Sequence, residues 1–395
     1  MSSLTKPNVI VFSDHLLYPS ETFIRAQATA LSEFEPVYAG SRRVRGLDLP
    51  DRRTFTVNPG GMAGKLREFS FKLFGFAPNF TATLSALNPA LVHAHYAANG
   101  LRVLPIARKL GVPLIVTLHG ADATATNLRH QKPHFGHRHY LKNKKTLQTS
   151  GALFLAVSEF IRRKLLEQGF PEEKVLVHYT GVDTKMFCPG SIESGPVILF
   201  VGRMVESKGA EFLIRAAAAV QSQLPAAEVV LIGDGPLRAD LEKRAQKQLR
   251  RYRFLGMQPQ EEVLKWMSRS SLLCVPSVKI PSGTEEAFGM VYAEAQAVGK
   301  PVVAFHSGGI PEVVSHGSTG FLAPERNWQA LAKYMFVFLE NPELRKRFGL
   351  AGRERMVRHF DLTHRTKVLE QIYTRVSRNK TLLDGGAMCC KFSGA

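Results

Sequence analysis

Two glutamates eight residues apart, Glu286 and Glu294, stand in the stretch PSGTEEAFGMVYAEAQAVGK, residues 281–300. Its first four residues, Pro281, Ser282, Gly283 and Thr284, favour a turn; beyond them Met290, Ala293, Ala297 and Val298 fall at apolar helical positions. Gly289 therefore marks the change from loop to helix. A helix start leaves backbone N–H groups unpaired and carries about half a positive charge, so it receives phosphate and other anions readily. If the interval is mostly helical, the two carboxylates lie about 12 Å apart and face broadly the same way. A glycosidase-like acid and nucleophile pair needs about 5 to 9 Å. The spacing instead suits two contacts along one extended ligand; the plain alternative is a solvated capping residue followed by a surface helix residue.

A second constellation lies upstream. The apolar run Val197-Ile198-Leu199-Phe200-Val201 is followed by Gly202-Arg203-Met204-Val205-Glu206-Ser207-Lys208-Gly209. Glycine lets backbone approach closely after the strand, and Arg203 and Lys208, five apart on a loop, can converge on one anion. Taken together, these stretches resemble the G-R-x4-K-G and E-x7-E segments of retaining glycosyltransferases of family 4. His119-Gly120-Ala121-Asp122 is similar to that family's H-G-x-D turn, and the Gly308-Gly309 strand follows in the family's order. The resemblance covers residues 8–377. It implies an α/β chain of the GT-B fold: two Rossmann-like domains facing across a cleft, with a C-terminal helix crossing back to the first.

It also implies roles. Arg203, Lys208 and the helix start at Gly289 would hold the diphosphate of a nucleotide-sugar donor, Glu286 the donor sugar, Glu294 the ribose, and His119 the transferred sugar. His119, Glu286, Arg203 and Lys208 are thus the catalytic candidates. Gly202, Gly233, Gly235, Met257, Ala287, Phe288, Gly289, Met290 and Glu294 join Arg203 and Lys208 as donor-binding candidates. The chain has no D-x-D, so the residue set suggests neither a metal nor a cofactor beyond the donor itself. Thr180 replaces the family's usual Asn in Thr180-Gly181-Val182-Asp183, and the first loop lacks its Gly-Gly pair.

These motifs need two α/β domains to carry them. At 395 residues and 45% hydrophobic content the chain can fill two cores. Asn8-Val9-Ile10-Val11-Phe12 reads as a doubly buried parallel strand, Ser20 as the cap of a helix carrying Phe23, Ala26, Ala30 and Leu31, and Pro36 to Gly40 as the next strand. The runs ending at His95 and Leu118 flank a helix over 100–110, and Ser158 caps a helix after Phe154-Leu155-Ala156-Val157. His95 has no assigned role at this level. Residues 189–196, PGSIESGP, read as a linker between a first domain (1–188) and a second (197–360). A helix over 361–378 returns to the first domain, and 379–395 has no pattern.

The formal charge of +19 favours anionic partners. Residues 1–190 hold 24 Lys and Arg against 13 Asp and Glu, and residues 129–145 hold six Lys and Arg, four His and no acid. No helix-turn-helix, RRM or zinc-finger pattern accompanies this charge, which disfavours nucleic acid. Between 42 and 80, Arg42, Arg43, Arg45, Arg52, Arg53, Lys65, Arg67 and Lys72 interleave with Phe69, Phe71, Phe74, Phe76 and Phe80. This reads either as a domain helix with solvated cations or as an interfacial segment for an anionic membrane, as a lipid-linked acceptor would require. No apolar run approaches a membrane span and no signal peptide is apparent, so the expected location is cytoplasmic, at most peripheral on the membrane's inner face. Cys188, Cys274, Cys389 and Cys390 form neither a disulfide framework nor a zinc site.

The reading is therefore a metal-independent, retaining hexosyltransferase moving sugar from a nucleotide donor to a lipid-linked or polysaccharide precursor. The Ser20-Glu21-Thr22-Phe23 stretch, similar to that of surface-polysaccharide enzymes, is read as acceptor-side. A nucleotide-sugar 2-epimerase of the same fold and a non-catalytic subunit binding sugar nucleotide or anionic lipid are the alternatives. A dehydrogenase fits poorly, because no G-x-G-x-x-G follows the first strand.

Overall fold

The computed structural model describes residues 6–124, 135–190 and 195–378. The linker residues 191–194, residues 125–134 with the start of the basic stretch 129–145, and the patternless tail from 379 lie outside the described residues. The chain divides into two compact units, one comprising residues up to Gly181 together with those from Leu362 onward, the other Val182–Asp361.

The first unit is built on strands β1 (Asn8–Phe12), β2 (His15–Leu16), β3 (Glu35–Arg43), β4 (Thr54–Asn58), β5 (Pro89–His95), β6 (Leu114–Leu118), β7 (Leu153–Ala156) and β8 (Val175–Val177). They pair in the order β2-β3-β1-β5-β6-β7-β8, with β4 added to β3, and every pairing is parallel. Val9, Ile10, Leu91, Val92, Ile115 and Val116 are fully buried, as a sheet covered by helices on both faces demands. The helix Leu362–Arg378 belongs to this unit: Leu369, Ile372, Tyr373 and Val376 join the core with Val9, Val11 and Leu91. Its Glu370 accepts hydrogen bonds from the backbone N–H groups of Ser32 and Glu33, each at 2.6 Å.

The second unit carries β9 (Val197–Val201), β10 (Glu228–Ile232), β11 (Tyr252–Gly256), β12 (Leu272–Cys274), β13 (Val302–Phe305) and β14 (Gly320–Ala323). Their order is β11-β10-β9-β12-β13-β14, again all parallel. Each unit thus has one place where successive crossovers run in opposite directions: between β1 and β5, and between β9 and β12. In open α/β sheets, ligands bind beyond the carboxyl ends of the strands at that place.

Local structure departs from the sequence expectations in three places. The first helix is Thr22–Thr29 with Glu21 at its N-cap and no side-chain cap bond. Glu21 instead folds back to accept the Tyr18 N–H at 2.8 Å, which displaces Ser20 from the capping role. The helix after the Glu286 loop begins only at Met290, so half the interval between Glu286 and Glu294 is not helical and the 12 Å estimate does not apply. Of the five phenylalanines over 69–80, Phe71 and Phe80 are core residues, because they fall on the inward faces of the helices Gly61–Phe74 and Pro78–Ala86. Ser158 does cap its helix, accepting the Ile161 N–H at 3.1 Å.

Candidate functional site

In the second unit the candidates gather beyond the strand ends that flank the β9/β12 switch. Gly202, Arg203 and Lys208 follow β9, and Glu286 lies in the loop from β12 to the helix Met290–Ala297. Lys208 Nζ donates to Glu286 Oε2, and Ser277 Oγ donates to the same oxygen at 3.1 Å. The Tyr292 hydroxyl stands 3.2 Å from Ser277 Oγ and donates to the Val275 carbonyl at 2.8 Å. Glu286 is thus held by a cation and a hydroxyl, each anchored in the unit, while its side chain stays 14% exposed. Backbone contact fixes it from the other side. The Gly309 N–H bonds its carbonyl at 2.8 Å, and a Cβ on Gly308, whose φ is +56°, would stand 2.1 Å from that oxygen.

The loop after β9 is laced to the Gly233–Gly235 turn after β10. Gly202 N–H donates to Ile232 O at 3.0 Å and Met204 N–H to Asp234 O at 2.8 Å, while a Cβ on Gly233 would lie 2.0 Å from Gly202 O. Arg203 projects from this laced loop, exposed and without a partner among the described residues. Met257, just past β11, is 66% exposed. Ala287 and Phe288 turn their side chains inward, Phe288 packing against Phe360 at 5.5 Å between centroids, so their side chains are closed to a ligand. Gly289 and Met290 are half-buried at the helix start. Glu294, one turn on, is partly buried, and its carboxylate has no hydrogen-bond partner among the described residues. Burial pushes its carboxyl up to about 7.

In the first unit His119 follows β6. Asp122 builds the turn: one carboxylate oxygen accepts the N–H groups of His119 (3.1 Å) and Gly120 (2.9 Å), the other that of Ala97 (3.0 Å). Burial raises the Asp122 carboxyl despite those bonds. The His119 ring lies between Phe23 and Tyr96, each 4.9 Å away by centroid, and its Nε2 is 2.9 Å from His95 Nδ1. His95 in turn overlaps His93 at 4.5 Å, and His93 bonds Tyr373 Oη at 2.6 Å and Thr117 Oγ1 at 2.7 Å. Burial, reinforced by neighbouring imidazoles, holds all three histidines below their ordinary range, His119 at about 3. His119 is therefore a neutral imidazole at physiological pH, a hydrogen-bonding group rather than a cation.

Two groups escaped sequence reasoning. Asp14, at the β1 end of the β1/β5 switch, pairs with Arg102 at 2.7 Å and Lys72 at 3.4 Å and accepts from Ser41. Burial would raise its carboxyl, but Arg102, Ser41 and Lys72 outweigh that and hold it low. Ser277 and Tyr292 orient Glu286 from positions that carry no motif. Only the position of Asp14 at the end of an apolar strand could have drawn notice. Among the described residues no group of three or more His, Cys, Asp or Glu is placed to hold a metal ion.

Two parallel-sheet units, with an Arg/Lys loop and a glutamate-flanked helix start at the switch of the second, define the architecture of GT-B glycosyltransferases. Comparison with known proteins agrees: Glycosyltransferase Family 4 matches residues 21–186 and Glycosyl transferases group 1 matches 182–355. The uncharacterized glycosyltransferase MJ1178 of Methanocaldococcus jannaschii is 33% identical over 267 residues, 67% of this chain and 69% of that one. The chain belongs to this glycosyltransferase family. The amylovoran biosynthesis glycosyltransferase AmsK of Erwinia amylovora is 32% identical over 250 residues, 61% of this chain; the match spans 59% of AmsK, short of two thirds of its length. The crystal structure of Anabaena HepE in complex with UDP and glucose superposes with a TM-score of 0.72 at 20% identity, covering 93% of this chain and 100% of that one; this similarity establishes the fold.

Proposed function

We propose that the chain transfers a hexose, with retention of configuration and without a metal, from a nucleoside-diphosphate sugar to a saccharide or lipid-linked precursor of a surface polysaccharide. The observation that carries this reading is the second unit's cluster: Lys208 bonded to Glu286, the helix start at Met290, and the Arg203 guanidinium and Glu294 carboxylate, which have no partner among the described residues. Transfer leaves negative charge on the departing diphosphate. Two cations and a helix start aimed from fixed backbone stabilise that charge without reorganising. Glu286, oriented by Ser277 and Lys208, would accept from sugar hydroxyls, and Glu294 from the ribose. His119, neutral in its aromatic setting, would bond the transferred sugar. The name of AmsK supports a place in polysaccharide synthesis.

The test is calorimetric binding of UDP-, GDP- and ADP-sugars, without added metal, to wild type and Arg203→Ala. One nucleotide class binding tightly and weakening at least tenfold in the variant supports the reading; no binding by any of them removes it. Incubation with donor alone separates the 2-epimerase alternative, which would convert the donor where a transferase requires an acceptor.

A further inference from the structure

Six of the ten most exposed large apolar side chains among the described residues fall between positions 62 and 76: Met62, Leu66, Phe69, Leu73, Phe74 and Phe76, between 43% and 81% exposed. Four of them, Met62, Leu66, Phe69 and Leu73, recur at i, i+4, i+7 and i+11, which places them on one stripe of the helix Gly61–Phe74. The opposite face is satisfied separately. Phe71 enters the core, and Glu68 bonds Lys72 and, at 2.7 Å, Asn58. The helix is therefore apolar outward as well as inward, and its outward stripe is exposed among the described residues. Such a patch on a monomer marks an interaction surface.

The charge around the stripe names the partner. On one flank a groove of about 400 Å³ runs past Leu66, Arg67 and Phe76. On the other, Phe74 shares a depression of about 230 Å³ with Pro105 and Arg108 of the helix Ala97–Leu110 and His139 of the helix Phe135–Gln148. Together these three helices hold ten Lys and Arg and one acid, and that acid is the buried Glu68. Lys65, Arg67, Arg108, Lys109, Lys142 and Lys145 are exposed. An apolar stripe with Lys65 and Arg67 on its own helix and Arg108 beside Phe74, in a group of helices this basic, fits the headgroup and acyl boundary of an anionic bilayer.

We propose that this face of the first unit docks on an anionic lipid membrane, the aromatic stripe entering the interface and these cations meeting lipid phosphates. The proposal deepens the lipid-linked acceptor reading above, since it brings the first unit to where such an acceptor resides. Its test needs neither donor nor acceptor, so the two can fail separately.

The full chain is sedimented with phosphatidylglycerol and with phosphatidylcholine vesicles at rising salt. Expected are co-sedimentation with the anionic vesicles alone, weakening as salt screens the cations, and a loss of at least tenfold in Leu66→Glu/Phe69→Glu/Phe74→Glu with thermal midpoint and nucleotide binding unchanged. Should that variant fail to fold, Lys65→Glu/Arg67→Glu, at exposed positions without side-chain partners among the described residues, carries the same expectation. Equal binding to both vesicle types, or no loss in a folded variant, overturns the proposal. A wild-type dimer in gel filtration that becomes monomeric in the variant, without vesicle binding, also overturns it and makes the stripe a contact between two copies.

Discussion

His95 Nδ1 lies 2.9 Å from His119 Nε2, with the two rings stacked 20° from parallel. One nitrogen must donate and the other accept, so each ring sets the tautomer of the other. The polar edge that His119 offers a ligand is thereby fixed from the neighbouring strand.

The first prediction follows from that pair. His95→Phe keeps the stack but removes the bond. Leaving a partly buried polar group unpaired costs about 1–3 kcal/mol, so turnover should fall about 5- to 150-fold. Imidazole ¹⁵N spectra of the wild type should show a single His119 tautomer that becomes mixed in the variant. A variant with unaltered spectra and rate would leave His95 a packing residue only.

A second concerns acid. With His93, His95 and His119 all depressed, His119 to about 3, the unfolded chain binds protons that the folded chain refuses between about pH 3 and 6.5. Stability of the first unit is therefore complete above pH 7 and declines as pH falls through 6. Urea midpoints at pH 8, 6 and 5 measure it, and His93→Phe should flatten the decline. A midpoint constant across that range would contradict the depressed values.

The third is catalytic. Lys208→Ala removes the partner of Glu286 and, on the function proposed above, a cation for the diphosphate. Turnover should drop by about 10² to 10³, the scale of losing one preorganised electrostatic group. Ser277→Ala, which only loosens Glu286, should cost about tenfold or less. Assay with the donor identified by calorimetry checks the order; near-normal turnover in Lys208→Ala would end the diphosphate assignment.

Glu294 gives the fourth. Its carboxyl is raised to about 7, so the folded state holds a proton that the unfolded state has released between about pH 4.5 and 7. Ionisation across that window destabilises the fold as pH rises. Glu294→Gln should match wild type at pH 4 and be the more stable protein at pH 8, by at most about 3 kcal/mol because water reaches the partly exposed group. The same variant should bind donor more weakly. Equal stability at pH 8 would show the carboxyl to be better solvated than its burial indicates.

The fifth tests the ion pair at the first switch. Arg102→Met leaves Asp14 with Lys72 as the remaining Lys or Arg partner and the Ser41 hydroxyl as a donor. Removing one partner of a buried pair costs about 3–5 kcal/mol, and Lys72 should hold the loss to the lower end. Chemical denaturation measures it; a loss under about 0.5 kcal/mol would mean that Asp14 is already neutral or solvated.

Much of the second unit was legible because its chemistry is local. Arg203 and Lys208 are five residues apart on one loop, the helix start is announced by Gly289, and apolar runs of five mark strands buried on both faces. The first unit was less legible. Ser20 looked like a helix cap, but the Glu21 side chain competed for the turn; Phe71 and Phe80 belonged to the same aromatic cluster as Phe69 until helix phase separated them.

What the sequence by itself determined was the class of fold and the loop and helix-start motifs of the second unit, since strand burial, loop glycines and helix starts follow from neighbours within a few residues. Only the tertiary structure decided the pairs separated by tens of residues: Lys208 with Glu286, His95 with His119, Asp14 with Arg102. Each arises because the sheet sets side by side strands that long connections separate in the chain, β9 with β12, β5 with β6 and β1 with β5. Hydrogen bonding between those strands, not proximity along the chain, brings the side chains together.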